Sequence, residues 1–154
     1  MKYFRFSSLM VLMLISFFVE AKETLSETAE LGKAQFNVCL ACHSQALNPA
    51  KAPPMFGIQN RYKRQHGSQA AFVSAIGSFV ESPTLEAALM KRPVRKLGLM
   101  PAFPLGDEVL NNIATYLYET TFDPPCDHWR QALKSPGKDG HRRQVQGNYD
   151  KFCK

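Results

Sequence analysis

Cys39, Cys42 and His43 stand in the order Cys39-Leu40-Ala41-Cys42-His43, the Cys-x-x-Cys-His spacing that attaches a c-type haem. Two thiols three positions apart can each add to a vinyl group of one porphyrin, and the adjoining imidazole then meets one axial face of the iron. One short segment would thus supply both the covalent attachment and the first ligand. Two other chemistries use a Cys-x-x-Cys pair. A thioredoxin-like dithiol wants a βαβ setting in which the first Cys opens a helix, whereas this pair follows the end of a helical pattern. A structural zinc site needs two further ligands. Cys126, Cys153, His128 and His141 are the candidates, and none of them makes a second close-spaced pair.

A haem held by His43 takes its character from the opposite axial group, because His/Met ligation raises the reduction potential relative to bis-His. Met55 is only a dozen residues beyond His43, in a segment expected on the same side of the cofactor, and Met90 falls in a helical stretch where a core or surface role is expected. Met100 lies in Gly98-Leu99-Met100-Pro101, a Gly- and Pro-rich stretch between helical segments that can cross the far face of the haem. A methionine in such a loop can equally be an apolar plug. Combined with the haem motif, Met100 is the expected second ligand, with His66, His128 and His141 as alternatives.

The elements that must position these groups read as helical. Thr24-Leu25-Ser26-Glu27 has the form of a capping box, and Ala29, Gly32, Phe36 and Cys39 then share one helical face up to the haem motif. Gln45 to Tyr62, with Pro49, Pro53, Pro54 and Gly57, reads as loop. Ser68 opens a helix carrying Phe72, Ile76 and Phe79 or Val80. Ser82-Pro83 is expected to start a short helix through about Lys91, which Pro93 would end. Val94 to Leu105 reads as loop, and Asp107 is expected to cap a last strong helix with the stripe Val109, Leu110, Ile113, Tyr116 and Leu117. Sustained alternation of the strand kind is missing, so the fold class is all-α.

Two further signals concern the ends. Lys2 and Arg5, an apolar run from Leu9 to Val19 and then Val19-Glu20-Ala21 resemble a secretory signal peptide cleaved after Ala21. An uncleaved membrane anchor would need ~20 apolar residues, which this run lacks. The expected division is 1–21 signal peptide, 22–120 haem domain and 121–154 C-terminal extension. Beyond Thr121 the chain is rich in turn formers, with only Trp129 to Lys134 suggesting a helical turn. An exported chain with two thiols besides the haem pair is expected to join them, Cys126 to Cys153, as a structural staple. The formal net charge of +6 falls to +5 without the leader, with 17 basic and 12 acidic residues scattered rather than clustered. That balance argues against nucleic acid and suits an acidic partner surface.

Over residues 25–120 the chain resembles the class I c-type cytochromes, the small His/Met monohaem family. The matching pieces are Gly32 and Phe36, Cys39 to His43, Pro53-Pro54, Met100-Pro101 and Tyr116. The resemblance implies a cytochrome c fold of about four to five helices around one covalently bound haem, with an irregular, disulfide-stapled tail that the minimal fold lacks. It implies Cys39 and Cys42 as thioether donors, His43 and Met100 as axial ligands, and the carbonyl of Pro54, or of its neighbour Pro53, as acceptor for the His43 Nδ1–H. It also implies that the first and last helices cross at Gly32, Phe36 and Tyr116.

The expected function is that of a periplasmic electron carrier between membrane or periplasmic redox proteins, without a stable membrane anchor. Lys91, Arg92, Arg95 and Lys96 would steer it to an acidic partner or simply form a solvated face. A second expectation is a subunit of a larger periplasmic oxidoreductase that uses the tail for docking. A third is a five-coordinate sensor or peroxidase-like protein, if Met100 does not ligate. A catalytic acid/base pair, a nucleophile constellation and a phosphate loop are all missing from the sequence, so an independent enzyme is not expected.

Overall fold

The computed structural model describes residues 24–135 and 139–154. The expected signal peptide lies outside them. The described residues form eight helices and no strands, so the chain is all-α. Six helices precede Thr120, where four to five were expected, and two more build the tail.

The first helix, α1 (Glu27–Gln35), packs across the sixth, α6 (Asp107–Glu119), and this crossing organises the core. Its cap is not Thr24 but Ser26, whose Oγ accepts from the Ala29 N–H at 3.2 Å. A capping box would then place Glu at position 29, where the fully buried Ala29 stands. The carboxylate comes instead from across the chain. Ser26 donates its N–H (2.8 Å) and its hydroxyl (2.9 Å) to Glu119, which also accepts from Gln69 Nε2 at 3.1 Å.

The Ser26 backbone N–H, ahead of the Ser26 hydroxyl and the Gln69 amide, holds the Glu119 pKa below the ordinary glutamate value against a smaller opposing effect of burial. A depressed folded-state pKa stabilises above the unfolded value, and that contribution fades as pH falls through the folded one. Because the carboxylate is largely solvated, Glu119→Gln should cost under ~1 kcal/mol at neutral pH. The gap in melting temperature between wild type and variant should close on acidification, and a gap independent of pH would contradict this account.

At the crossing, a Cβ added to Gly32 would lie 1.9 Å from the Asn112 carbonyl oxygen and 2.9 Å from the Ile113 nitrogen. One turn on, Phe36 meets Tyr116 edge to face with centroids 5.2 Å apart, and Phe122 closes on the same ring at 5.7 Å. Gly32, Phe36 and Tyr116 therefore do sit where α1 and α6 meet. The expected stripe of α6 also holds, with Leu110, Ile113 and Leu117 buried and Val109 and Tyr116 packed at its border. Asp107 is the first helical residue rather than the cap, which is Gly106 at φ 83°.

The segment expected as loop from Gln45 to Tyr62 becomes helix after Pro54. In α3 (Met55–His66), the buried residues Met55, Gln59 and Tyr62 recur at helical spacing. A polar residue interrupts that stripe for a physical reason. The Gln59 amide donates to the carbonyls of Leu117 and Thr120, both at 2.6 Å, satisfying acceptors that the end of α6 leaves open. The next helix, α4 (Gln69–Glu81), begins as expected, with Ser68 Oγ accepting from the Ala71 N–H and Phe72 and Ile76 buried.

Ser82-Pro83 starts turns rather than a helix, and α5 (Lys91–Leu97) then runs through Pro93. Pro93 is the third residue of α5, where a missing N–H removes no internal bond. The expected loop from Val94 accordingly shrinks to the stretch after Leu97.

The tail is not irregular. Helices α7 (Cys126–Lys134) and α8 (Asp139–Phe152) form a hairpin whose open end is joined by Cys126–Cys153, with Cα atoms 5.8 Å apart. Phe56 of α3 receives the hairpin, in edge contact with Trp129 at 5.9 Å and Phe152 at 5.1 Å. Val145 is the one buried residue of the two helices, so the hairpin has little core of its own. With a separation of 27 residues between the cysteines, replacing both by serine should cost the hairpin ~2–4 kcal/mol. Hydrogen exchange should then lose protection in α7 and α8 while α1 and α6 keep theirs, and uniform loss across all helices would overturn this.

Candidate functional site

Helix α2 (Asn37–His43) follows α1 with a single-residue break at Phe36, whose carbonyl accepts from the Cys39 N–H at 2.9 Å. The motif is thus almost the continuation of the helix that crosses α6. At a spacing of three residues, Cys39 and Cys42 lie on neighbouring positions of one helix face. Both thiols are unbonded, Cys39 half-buried against the core and Cys42 exposed. Burial pushes the Cys39 thiol pKa up, so at neutral pH it is held as thiol.

His43 ends α2, and the following loop turns back over it, bringing the Pro53 carbonyl 2.7 Å from His43 Nδ1. The acceptor is Pro53 and not Pro54. The Pro54 carbonyl is already engaged, accepting from the N–H groups of Gly57 (2.9 Å) and Ile58 (3.3 Å) as α3 begins. With Nδ1–H donating to Pro53, the other nitrogen, Nε2, keeps its lone pair for a metal. Burial lowers the His43 pKa, against a smaller upward effect of the Pro53 bond. The imidazole is therefore neutral at physiological pH, which is the form that ligates.

Met100 sits in a stretch bounded by Gly98 at φ 89° and Gly106 at φ 83°, backbone that other residues adopt at a cost. Pro101 and Pro104 stiffen it, the Phe103 N–H donates to the Val80 carbonyl at 2.9 Å, and Leu105 packs on the core. Met100 itself is half-buried. The other methionines have different duties. Met55 is buried in the core cluster with Phe36 and Tyr62, and the Met90 methyl lies beside Gly57 of α3. Of the alternative histidines, His66 packs beside the Tyr62 ring at 5.7 Å, while His128 and His141 are exposed on the tail.

Two alternative chemistries lose ground on these facts. Cys126 and Cys153 are spent on each other and cannot complete a zinc site with Cys39 and Cys42. Among the described residues there is no cluster of three or more His, Cys, Asp or Glu side chains able to hold a metal ion. The Cys-x-x-Cys pair lies on α2, and the described residues form no strand that could give it a βαβ setting.

The donor set fits a covalently attached haem. It offers two free thiols at the right spacing, a neutral imidazole oriented through Nδ1, and a thioether in a stiffened loop. The surroundings fit as well. Val38 (47% exposed) and Leu40 (37%) flank Cys39, and Phe103 (41%) stands near Met100 in sequence. These are large apolar side chains on the very segments that would meet a porphyrin. Sequence reading did not single out Gln59, nor the bonds by which Arg92 of α5 reaches His141 and Gln144 of α8. No protein-family model, curated protein or solved structure matches the chain, so the functional argument stands on this geometry. Nor is any helix of the described residues long and apolar enough to cross a membrane.

Proposed function

We propose that this chain is a periplasmic monohaem c-type cytochrome of the class I kind, which carries single electrons between redox proteins. The observation that carries the reading is the coincidence of Cys39, Cys42 and His43 on one short helix with the 2.7 Å contact from His43 Nδ1 to the Pro53 carbonyl. Cys39 and Cys42 would hold the haem through thioethers, each S–H adding across a vinyl C=C with its hydrogen going to the terminal carbon. His43 and Met100 would be the axial pair. Bound in this way, haem supplies a one-electron Fe2+/Fe3+ couple.

The chain's own contribution is orientation and exclusion. Pro53 fixes the His43 ring, and the α1–α6 crossing fixes the helix that carries the thiols. The apolar residues Val38, Leu40 and Phe103 would shield the cofactor from water. With His43 and Met100 both holding the iron, no position would remain for a substrate, which favours electron transfer over catalysis. The exported leader expected at residues 1–21 suits the periplasm, where covalent haem and the Cys126–Cys153 disulfide are both at home.

The test is the visible spectrum of the protein matured with a c-haem assembly system, for wild type and Met100→Ala. Wild type should show the weak far-red band of a thioether on ferric haem and no change when carbon monoxide is added to the reduced protein. Met100→Ala should lose the band and gain carbon monoxide binding. Carbon monoxide binding by wild type would replace the carrier reading with a five-coordinate sensor or peroxidase-like one. The hairpin, with Phe152 39% exposed, favours a second reading as a subunit of a periplasmic oxidoreductase. Co-purification with a catalytic subunit from native extract would select it.

A further inference from the structure

We propose that Arg92 is a positioning residue, and that through it the disulfide-closed hairpin braces the arm that carries Met100. The inference rests on the haem reading above.

The arm is weakly held by its own packing. Helix α5 has seven residues, none of them buried, and its N-cap makes no side-chain hydrogen bond. No other described helix packs extensively against it. Its upstream end is fastened where Arg61 Nε donates to the Leu89 carbonyl at 3.3 Å, and its downstream end where Phe103 meets Val80. Between these points, Lys91 Nζ reaches only the carbonyls of Leu85 and Glu86, just upstream in the same turn region. A local bond of that kind cannot fix the helix relative to the body.

Arg92 makes the distant contact. Its Nη1 lies 3.2 Å from His141 Nδ1 and 3.3 Å from Gln144 Oε1, both on α8 and some fifty positions away in the chain. Nη1 donates to each, with His141 Nδ1 and Gln144 Oε1 as the acceptors. Helix α8 can serve as a fixed point because it is closed onto α7 by Cys126–Cys153 and seated on Phe56 of α3.

Helix α3 starts directly after Pro53 and Pro54, and the Pro53 carbonyl orients His43. Two contacts and the two helices between them therefore join the segment that orients His43 to the arm that carries Met100. The path runs from Pro53 along the chain to Phe56, across the ring contact to Phe152, along α8 to Gln144 and His141, and across their hydrogen bonds to Arg92. The purpose fits an electron carrier. A thioether is a weak, exchangeable ligand of ferric iron, and bracing its arm keeps the coordination the same in both oxidation states.

A chain of contacts is not coupling until it is measured. The measurement is displacement of Met100 from ferric, haem-loaded full-length protein by added imidazole, in affinity and in rate. The variants are Arg92→Ala, Gln144→Ala, the pair together and Arg92→Lys. Losing exposed hydrogen bonds of this length should raise the apparent imidazole affinity of Arg92→Ala on the order of threefold to tenfold. The paired variant should add less than the two single effects combined, and Arg92→Lys should recover part of the wild-type behaviour. Amide exchange in residues 91–97 should speed up in Arg92→Ala while α1 and α6 are unchanged. If wild type shows the thioether band and Arg92→Ala takes imidazole no more readily than wild type, the brace is wrong and the haem reading stands. If wild type lacks the band, the His43/Met100 reading fails and the brace fails with it.

Discussion

Gly32→Ala should leave the protein largely unfolded under conditions where wild type is fully folded. An added methyl at this position would sit 1.9 Å from the Asn112 carbonyl oxygen and within 2.9 Å of the Ile113 nitrogen. Overpacking a core ordinarily costs ~1–3 kcal/mol because side chains can shift to absorb it. Here the obstacle is the backbone of the helix at the centre of the core, so α1 and α6 must separate. Separation would also loosen the Phe36–Tyr116 contact and the bonds from Ser26 to Glu119. A loss above ~3 kcal/mol is a large share of the ~5–15 kcal/mol that holds a typical domain together. Gly77→Ala is the control. Gly77 lies within α4, where nothing approaches an added Cβ within 4 Å, and alanine there should raise stability by ~0.5–1 kcal/mol. Denaturant unfolding followed by circular dichroism gives both values. A Gly32→Ala protein as stable as Gly77→Ala would mean that the α1–α6 crossing is wrongly described.

The second large effect is all-or-none. Matured with a c-haem assembly system, wild type should retain haem on a denaturing gel and after acid-acetone extraction. Cys39→Ser with Cys42→Ser should retain none. Each single serine variant should keep one thioether and show a shifted reduced spectrum, because one vinyl group remains unsaturated. His43→Ala tests orientation rather than attachment: its covalent haem, where formed, should bind carbon monoxide readily. Covalent haem in the double serine variant, or none in wild type, would remove the functional reading altogether. Cys42 is exposed and Cys39 is half-buried at the border of the core, so circular dichroism of the serine variants separates loss of attachment from loss of folding.

The sequence was most legible where one apolar periodicity did all the work. Leu110, Ile113 and Leu117 identify α6, and Phe72 and Ile76 identify α4, because each stripe is unbroken. It was least legible where a residue acts through something distant. Gln59 hides α3 because its amide is buried for the sake of carbonyls 58 and 61 positions away, which no local window contains. Ser26 displaced Thr24 as cap for the same reason, since the carboxylate that completes it belongs to Glu119. Pro93 looked like a helix end because a proline inside the first turn carries the same letter as one that breaks a helix. In the tail, Gly140 and Gly147 and a single buried residue on α7 and α8, Val145, left no stripe to read, although the Cys126–Cys153 pairing was inferred correctly from the thiol count. At the site, Cys39, Cys42 and His43 were legible as a spacing, and the structure places all three on α2. Choosing Pro53 over Pro54 needed the path of the loop, since both carbonyls belong to equivalent residues until one is seen to be occupied by the start of α3.

The crossing of α1 and α6 also sets an order of events. Ser26 and Glu119 are 93 positions apart, and contacts so distant form late because a long loop must first close. As the chain emerges, residues 39–43 are therefore available well before the helix that secures their neighbour α1 exists. Helix α2 buries nothing on its own account, so under the proposed function an attachment enzyme would meet two reachable thiols on a segment not yet committed to a shape. Completion of α6 then draws α1 and its continuation into place, so that folding would close behind the proposed cofactor rather than admit it.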